Sequence, residues 1–297
     1  MNKINVFIIF LIIYLFTSKA FSLSSSSYLI ANSAVSFFDY EKASIYFENS
    51  TVNDFSENDL GKKLIVFVNT SNLLKAFDVA EELLLKDNTN QEAWLIYLIY
   101  AKLNNLKEPF KIFENLKKEE NLEIIDYIFY NLDSKINNDQ LISKNIFKIV
   151  NSASNENIND FQNYNYLIFY INSSLILNNE YDEANYYLGA LYEKLKNYKK
   201  AEEHYARVNK NNDYLYFESQ KKIATNKKFY KNLDESEKYY LKILKIYPDN
   251  IIFNLGLADL YRTSSEYLKA IKIYSKVINH NTEQDLEWQL LYYRGVC

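Results

Sequence analysis

Apolar residues recur along most of the chain at intervals of three and four positions, which is the spacing of one face of an α-helix. The clearest stretch is 182–209. In its first half Leu188 and Tyr192 share one helical face, and in its second half Ala201 and Tyr205 share another. A short polar break lies between the two halves, so the pattern predicts two antiparallel helices joined by a tight turn.

The same pattern returns in 217–250 and in 251–279. Its buried aromatic position is occupied by Tyr205, Tyr240 and Tyr274, at intervals of 35 and 34 residues. A helix pair repeated at a fixed period of this length is typical of a solenoid, in which each unit buries its apolar face against its neighbours.

These units resemble the tetratricopeptide repeat, a pair of antiparallel helices about 34 residues long. The residues that carry the resemblance are Leu188, Gly189, Tyr192, Ala201 and Tyr205, with Pro248 closing the second unit. The resemblance implies an all-α, right-handed superhelical solenoid of antiparallel helix pairs. We expect about 13 to 15 helices and no sheet, with small residues such as Gly189 and Ala201 where paired helices touch.

The resemblance weakens toward the N-terminus. Residues 23–150 keep the repeat length and are expected to form divergent helix pairs, since Ala43, Ala76 and Pro109 follow one another at intervals of 33 residues. The polar stretch 151–165 is expected to be a linker, and 166–297 a C-terminal block.

An incomplete repeat from about 286 looks like the first helix of another unit. It suggests a chain truncated relative to longer relatives. The other interpretation is a helix that simply docks on the preceding repeat.

Residues 1–22 are typical of a signal peptide. Lys3 is followed by an unbroken apolar run from Val6 to Phe16, and small residues such as Ala20 come next. A run of 11 residues is too short to span a bilayer. We therefore expect cleavage near residues 20–22 and a periplasmic or otherwise exported protein without an integral membrane segment. An uncleaved N-terminal anchor is the alternative.

Composition removes several classes of function. The chain has only 4 Gly, which disfavours a phosphate-cradling loop, and 1 Cys, which excludes an internal disulfide. Its formal net charge of −4 makes it a poor candidate for binding nucleic acid. The charge is uneven, however, with a net −9 over 23–181 and a net +5 over 182–282.

No residue pattern indicates catalysis. His204 and His280 have no metal-ligating partner at helical spacing and are expected to be solvent-exposed, and Cys297 has no base near it. We therefore predict a protein that is not an enzyme and that uses no cofactor and no metal.

The resemblance implies that ligands bind in a concave groove lined by the first helix of each pair. The groove positions in the clear repeats are Glu183, Tyr186, Glu193, Lys194, Lys221, Thr225, Lys228, Leu255, Asp259 and Arg262. Family members that bind chaperones clamp a C-terminal carboxylate with Lys and Asn. Here Lys221 fits one of those places, but Thr225 and Gly256 stand where Asn is expected.

In the N-terminal block the corresponding positions are more apolar, namely Tyr28, Ile65, Val68, Trp94 and Leu98. They form either a surface for a partner helix or a face that the chain fills with its own elements.

The leading hypothesis is therefore a non-catalytic protein–protein interaction scaffold of the bacterial cell envelope, whose groove binds a peptide or helix of another protein. One alternative is an accessory repeat domain of an envelope enzyme whose catalytic part lies beyond residue 297. Another is an unlipidated outer-membrane assembly factor.

Overall fold

The computed structural model describes residues 26–50, 55–117, 122–130, 139–154, 161–280 and 284–297, which form sixteen α-helices and no strand. The all-α prediction is confirmed, with one helix more than the expected range. The signal-peptide prediction at 1–22 lies outside the described residues. Within the described ranges, no helix is both long and apolar enough to cross a membrane.

The helices fall into two compact units, 1–178 and 179–297. The first contains α1 (26–36), α2 (Tyr40–Glu48), α3 (Glu57–Asn69), α4 (Leu73–Lys86), α5 (Gln91–Leu103), α6 (Glu108–Leu116), α7 (Glu123–Tyr130), α8 (Asp139–Ser154) and α9 (Phe161–Leu177). The second contains α10 (Asp182–Lys194), α11 (Tyr198–Tyr205), α12 (Asp213–Tyr230), α13 (Leu233–Leu244), α14 (Ile251–Thr263), α15 (Tyr267–His280) and α16 (Gln284–Gly295).

This division differs from the expected boundary at 151–165. Helix α8 continues to Ser154, and α9 packs against α3, α5 and α8 of the first unit. Segment 166–177 is expected in the C-terminal block because it is apolar and precedes the clear repeats. Its apolar side chains are instead buried within the first unit, where Ile168, Phe169 and Ile171 are fully inaccessible to solvent.

One turn geometry joins the two helices of five pairs. The second residue after the first helix has a left-handed backbone, with φ between 55° and 63°, at Phe38, Ser71, Asn105, Lys196 and Ser265. In each case the next amide N–H donates to the carbonyl five residues back, for example from Asn72 to Phe67 at 2.8 Å and from Asn197 to Tyr192 at 2.8 Å. This is a Schellman motif, which satisfies the carbonyls at the end of the first helix.

The turn recurs in the divergent part of the chain. Phe38, Ser71 and Asn105 are 33 and 34 residues apart, which is close to the intervals of 35 and 34 residues in the clear repeats. Most second helices then begin with a side-chain cap, as where Asn72 accepts from the backbone N–H of Lys75 at 3.3 Å. The N-terminal helices are therefore pairs of the same kind as the C-terminal ones.

In the second unit, Tyr205, Tyr240 and Tyr274 are all buried, as the repeat pattern predicted. Glycines give two of these rings their space. A methyl carbon added at Gly189 would lie 2.8 Å from the Tyr205 ring, and one added at Gly256 would lie 2.6 Å from Tyr240. The close approach expected at Gly189 is thus a contact between a helix backbone and an aromatic ring.

Candidate peptide-binding groove

The first helices of the second unit, α10, α12 and α14, lie side by side, with α12 in contact with both of the others. Between α12 and α14 is an open depression of about 410 Å³, which we call the α12–α14 groove. Its lining comprises Lys221, Lys222, Thr225, Lys228, Phe229, Tyr240, Gly256, Asp259, Leu260 and Thr263. The groove therefore has aromatic and aliphatic walls with several polar groups.

The hydroxyl groups of the buried tyrosines reach side chains of α10, α12 and α14. We call the layer formed by these three first helices the first-helix face. Tyr205 donates to Glu193 at 2.9 Å, and Tyr274 donates to Asp259 at 2.6 Å. The Tyr240 hydroxyl lies 2.9 Å from the Thr225 Oγ1 atom. Burial raises the pKa of all three phenols, to about 12 for Tyr240. The hydroxyls therefore remain protonated at neutral pH and hold their partners in place.

The carboxylates on this face have cationic partners. Glu193 accepts from Lys222 at 2.9 Å and from Asn226 at 3.4 Å. Asp259 pairs with Arg262 at 3.3 Å. The Arg262 guanidinium also lies over the Tyr293 ring, 5.4 Å from its centroid. Hydrogen bonds and ion pairs thus hold both carboxylates.

Two lysines of the groove lack a close carboxylate partner. The Lys221 ammonium is 3.9 Å from the nearest carboxylate oxygen, which belongs to Glu218. Lys228 donates to the Thr263 hydroxyl at 3.0 Å, and no carboxylate of the described residues lies within ion-pair distance of it. These two lysines therefore leave a local excess of positive charge.

The structure brings together four of the predicted groove residues, since Lys221, Thr225, Lys228 and Asp259 line the same depression. Glu183 and Lys194 lie exposed near opposite ends of α10, away from this lining, and Tyr186 packs against the Tyr205 ring with centroids 5.5 Å apart. Leu255 is half-buried against the core. Glu193 and Arg262 belong to the hydrogen-bonded carboxylates described above.

Six lining residues were not among the predicted groove positions. Two of them were identified in other roles, Tyr240 as a buried residue and Gly256 as standing where Asn is expected, and four were missed: Lys222, Phe229, Leu260 and Thr263. Phe229 is 58% exposed and stacks on Tyr198, with ring centroids 4.9 Å apart. The residues that carry the resemblance do not include these positions. Their recognition requires the spacing of α12 from α14.

The apolar N-terminal surface is a correction. Ile65, Val68, Trp94 and Leu98 are each at most 6% exposed, so they are core residues. They lie on α3 and α5, against which α9 packs. Of the two interpretations left open by the sequence, the burial of these residues favours a face that the chain fills with its own elements.

Polar contacts also join α9 to that face. Tyr170 donates to Glu92 at 3.0 Å, and Asn172 donates to Asn69 at 2.9 Å. Tyr28, the remaining residue of the expected surface, is half-buried and donates to Asp59 at 2.5 Å. Among the described residues of the first unit, four of the five positions that the resemblance indicated are therefore buried, and the fifth is half-buried.

His204 is a second correction, because it is not solvent-exposed. Its ring stacks on Tyr192 with centroids 5.5 Å apart, and its buried Nδ1 atom has no hydrogen-bond partner. Burial, with smaller effects of Arg207 and Lys200, lowers the pKa of His204 to about 3. Because the sequence neighbours of His204 are polar, the sequence predicts that it lies on the solvent-exposed face of a helix.

His280 is the last residue of α15, and its side chain lies outside the described residues. Cys297 donates to the Tyr293 carbonyl at 3.2 Å. Within the described part of the chain, no three His, Cys, Asp or Glu side chains are grouped so that they could hold a metal ion.

No protein-family model matches the sequence, and no curated protein matches it. Among solved structures, the chain is similar to PilF of Pseudomonas aeruginosa, with 12% identity, a TM-score of 0.30, and coverage of 81% of this chain and 83% of that one. It is also similar to a tetratricopeptide repeat protein of Parabacteroides merdae, with 19% identity, a TM-score of 0.32, and coverage of 80% and 98%.

Yeast Tom70 is a third similar structure, with 10% identity, a TM-score of 0.22, and coverage of 94% of this chain and 96% of that one. Because these scores are low, the assignment of the architecture rests on features within the chain itself. They are the 33- to 35-residue period, the recurring Schellman turn and the buried tyrosine of each clear repeat. The chain is an all-helical protein built from helix pairs like those of tetratricopeptide repeats.

Proposed function

We propose that the protein is a non-catalytic interaction scaffold and that the first-helix face of its second unit binds an extended segment of another protein. Helix-pair solenoids present this layer as their binding surface. The observation that carries the proposal is the open α12–α14 groove, where Lys221, Thr225, Lys228 and Asp259 converge. In the first unit, by contrast, the equivalent layer is covered by α9.

The charge of the second unit favours an acidic or mixed-charge partner. Residues 182–282 carry a net charge of +5, and the groove lining contains three lysines but one carboxylate, Asp259. Exposed charges are screened beyond about 8 Å at physiological ionic strength, so added salt should weaken the attraction.

We also propose that the protein acts in the bacterial cell envelope after export. The apolar run from Val6 to Phe16 and the small residues near Ala20 support this location. Mass spectrometry of the mature protein should find an N-terminus near Phe21 or Leu23. An intact Met1 in the membrane fraction would indicate an anchored protein instead.

Binding can be tested by affinity purification from a periplasmic extract with the wild-type protein and a Lys221→Glu, Lys228→Glu, Arg262→Glu triple variant. We expect the variant to lose partners that the wild type retains while its circular dichroism spectrum remains that of a folded, helical protein. A Lys238→Glu, Lys242→Glu, Lys245→Glu variant of α13 and its C-cap changes the same charge outside the lining and serves as the control. Equal recovery by all three proteins would argue against the groove.

A further inference from the structure

The lysines of the α12–α14 groove differ in how well their charge is balanced. Lys222 pairs with Glu193 at 2.9 Å, and Arg262, just outside the lining, pairs with Asp259 at 3.3 Å. Lys228 instead has the neutral Thr263 hydroxyl as its acceptor at 3.0 Å. The excess positive charge is therefore located at the α12 side of the groove and not at Arg262.

Lys221 and Lys228 lie on the same face of α12. They are seven residues apart, or about 10 Å along the helix axis at 1.5 Å per residue. Thr225 lies between them, one turn from each, and its hydroxyl is already engaged by Tyr240 at 2.9 Å and by the Lys221 carbonyl at 2.9 Å. No acidic side chain of α12 stands between the two lysines on this face.

An apolar patch adjoins the two lysines. The Phe229 ring is 58% exposed beside Lys228, and Leu260 and Gly256 form the opposite wall. Gly256 has no side chain that could fill the groove at this wall. A carbon added there would lie 2.6 Å from the Tyr240 ring and would collide with it. A ligand thus meets positive charge and an aromatic surface within one depression.

We propose that this groove is a subsite for an acidic side chain of a bound peptide, with an adjacent apolar side chain resting on Phe229. This inference rests on the proposed peptide-binding function and specifies its partner. A peptide carboxylate would supply the acidic partner that Lys228 lacks within the described structure, and it would supplement the long 3.9 Å contact between Lys221 and Glu218. The ligand is a side-chain carboxylate, since Thr225 and Gly256 provide no amide groups to clamp a chain terminus.

The test uses the full chain and three fluorescent ten-residue peptides, acetylated and amidated, that alternate leucine with glutamate, glutamine or lysine. Fluorescence polarisation should show tightest binding of the glutamate peptide. Removing one charge by Lys228→Gln should weaken that binding about fivefold, as expected for a charge pair at a partly exposed site. Arg262→Gln should change it by less than about twofold, because Arg262 is already paired.

The controls separate this subsite from the wider proposal. Lys245→Gln, at an exposed position after α13, should leave the affinity unchanged. Equal binding of the glutamine or lysine peptide would overturn the acidic subsite but leave peptide binding intact. Binding that requires a free C-terminal carboxylate would also overturn it. Failure of all three peptides to bind would contradict both the subsite and the peptide-binding function.

Discussion

The contact between Gly189 and Tyr205 makes a quantitative prediction about the repeat. A methyl carbon at position 189 would lie 2.8 Å from the ring, whereas carbon atoms attract best at about 3.5–4.0 Å. Tyr205 is fully buried and its hydroxyl is bound to Glu193 at 2.9 Å, so the ring has little freedom to retreat. Overpacking of this kind costs roughly 1–3 kcal/mol.

Gly61 supplies the matched control. It also lies within a helix, α3, but an added methyl there would meet nothing within 4 Å. Replacement of a helical glycine by alanine stabilises by up to about 1 kcal/mol through backbone propensity, and this gain applies at both sites. We therefore expect Gly61→Ala to stabilise, and Gly189→Ala to be less stable than Gly61→Ala by about 1–3 kcal/mol.

The assay is urea unfolding followed by circular dichroism, with hydrogen exchange of the α10 and α11 amides to localise the effect. Gly189→Leu and Ala201→Leu, which add more atoms at buried positions, should destabilise further. A Gly189→Ala, Tyr205→Leu double variant should show a favourable coupling above about 0.5 kcal/mol, because the smaller side chain makes room for the methyl. Equal stability of Gly189→Ala and Gly61→Ala would refute the contact.

Three further predictions follow from local geometry. Lys196→Gly should stabilise by about 0.5–1 kcal/mol in thermal unfolding, since glycine relieves the left-handed backbone at φ 59°; a loss of stability would argue against that turn. Phe169→Ala, in the buried part of α9, should cost about 3–5 kcal/mol, against less than about 0.5 kcal/mol for the exposed Leu85→Ala; equal effects would contradict the filling of the first unit by α9. His204 has a lower pKa in the folded than in the unfolded state, so below about pH 6.5 the unfolded state binds more protons and stability falls. After allowance for partial solvent access, His204 should account for about 1 kcal/mol of the decrease in the free energy of unfolding between pH 7 and pH 5. His204→Phe should abolish this part of the decrease, and an unchanged pH profile in that variant would contradict the burial of His204.

The sequence predicted the clear repeats well because their buried positions are large or very small residues at a fixed period. Tyr205, Tyr240 and Tyr274 are buried where the pattern placed them. The divergent pairs were harder to identify, since their shared feature is the left-handed turn residue. That position holds Phe38, Ser71 and Asn105, and no residue type marks it.

The remaining differences concern contacts between helices far apart in sequence. The apolar faces around Trp94 and Leu98 were correctly identified as apolar, but periodicity cannot show what covers such a face. Helix α9, which packs against α3 and α5, begins about 60 residues after Leu98. For the same reason, the lining residues Phe229 and Thr263 became apparent only once α12 and α14 were placed side by side.

Site-specific photo-crosslinking tests most directly whether the first-helix face of the second unit is the binding surface. A photoreactive residue would replace Thr225 in the α12–α14 groove, or Leu268, which is 85% exposed on α15 and lies outside that lining. Irradiation of cells that produce the protein should give discrete crosslinked products from position 225 and none from position 268. Products from position 268 alone, or the same products from both positions, would contradict the account.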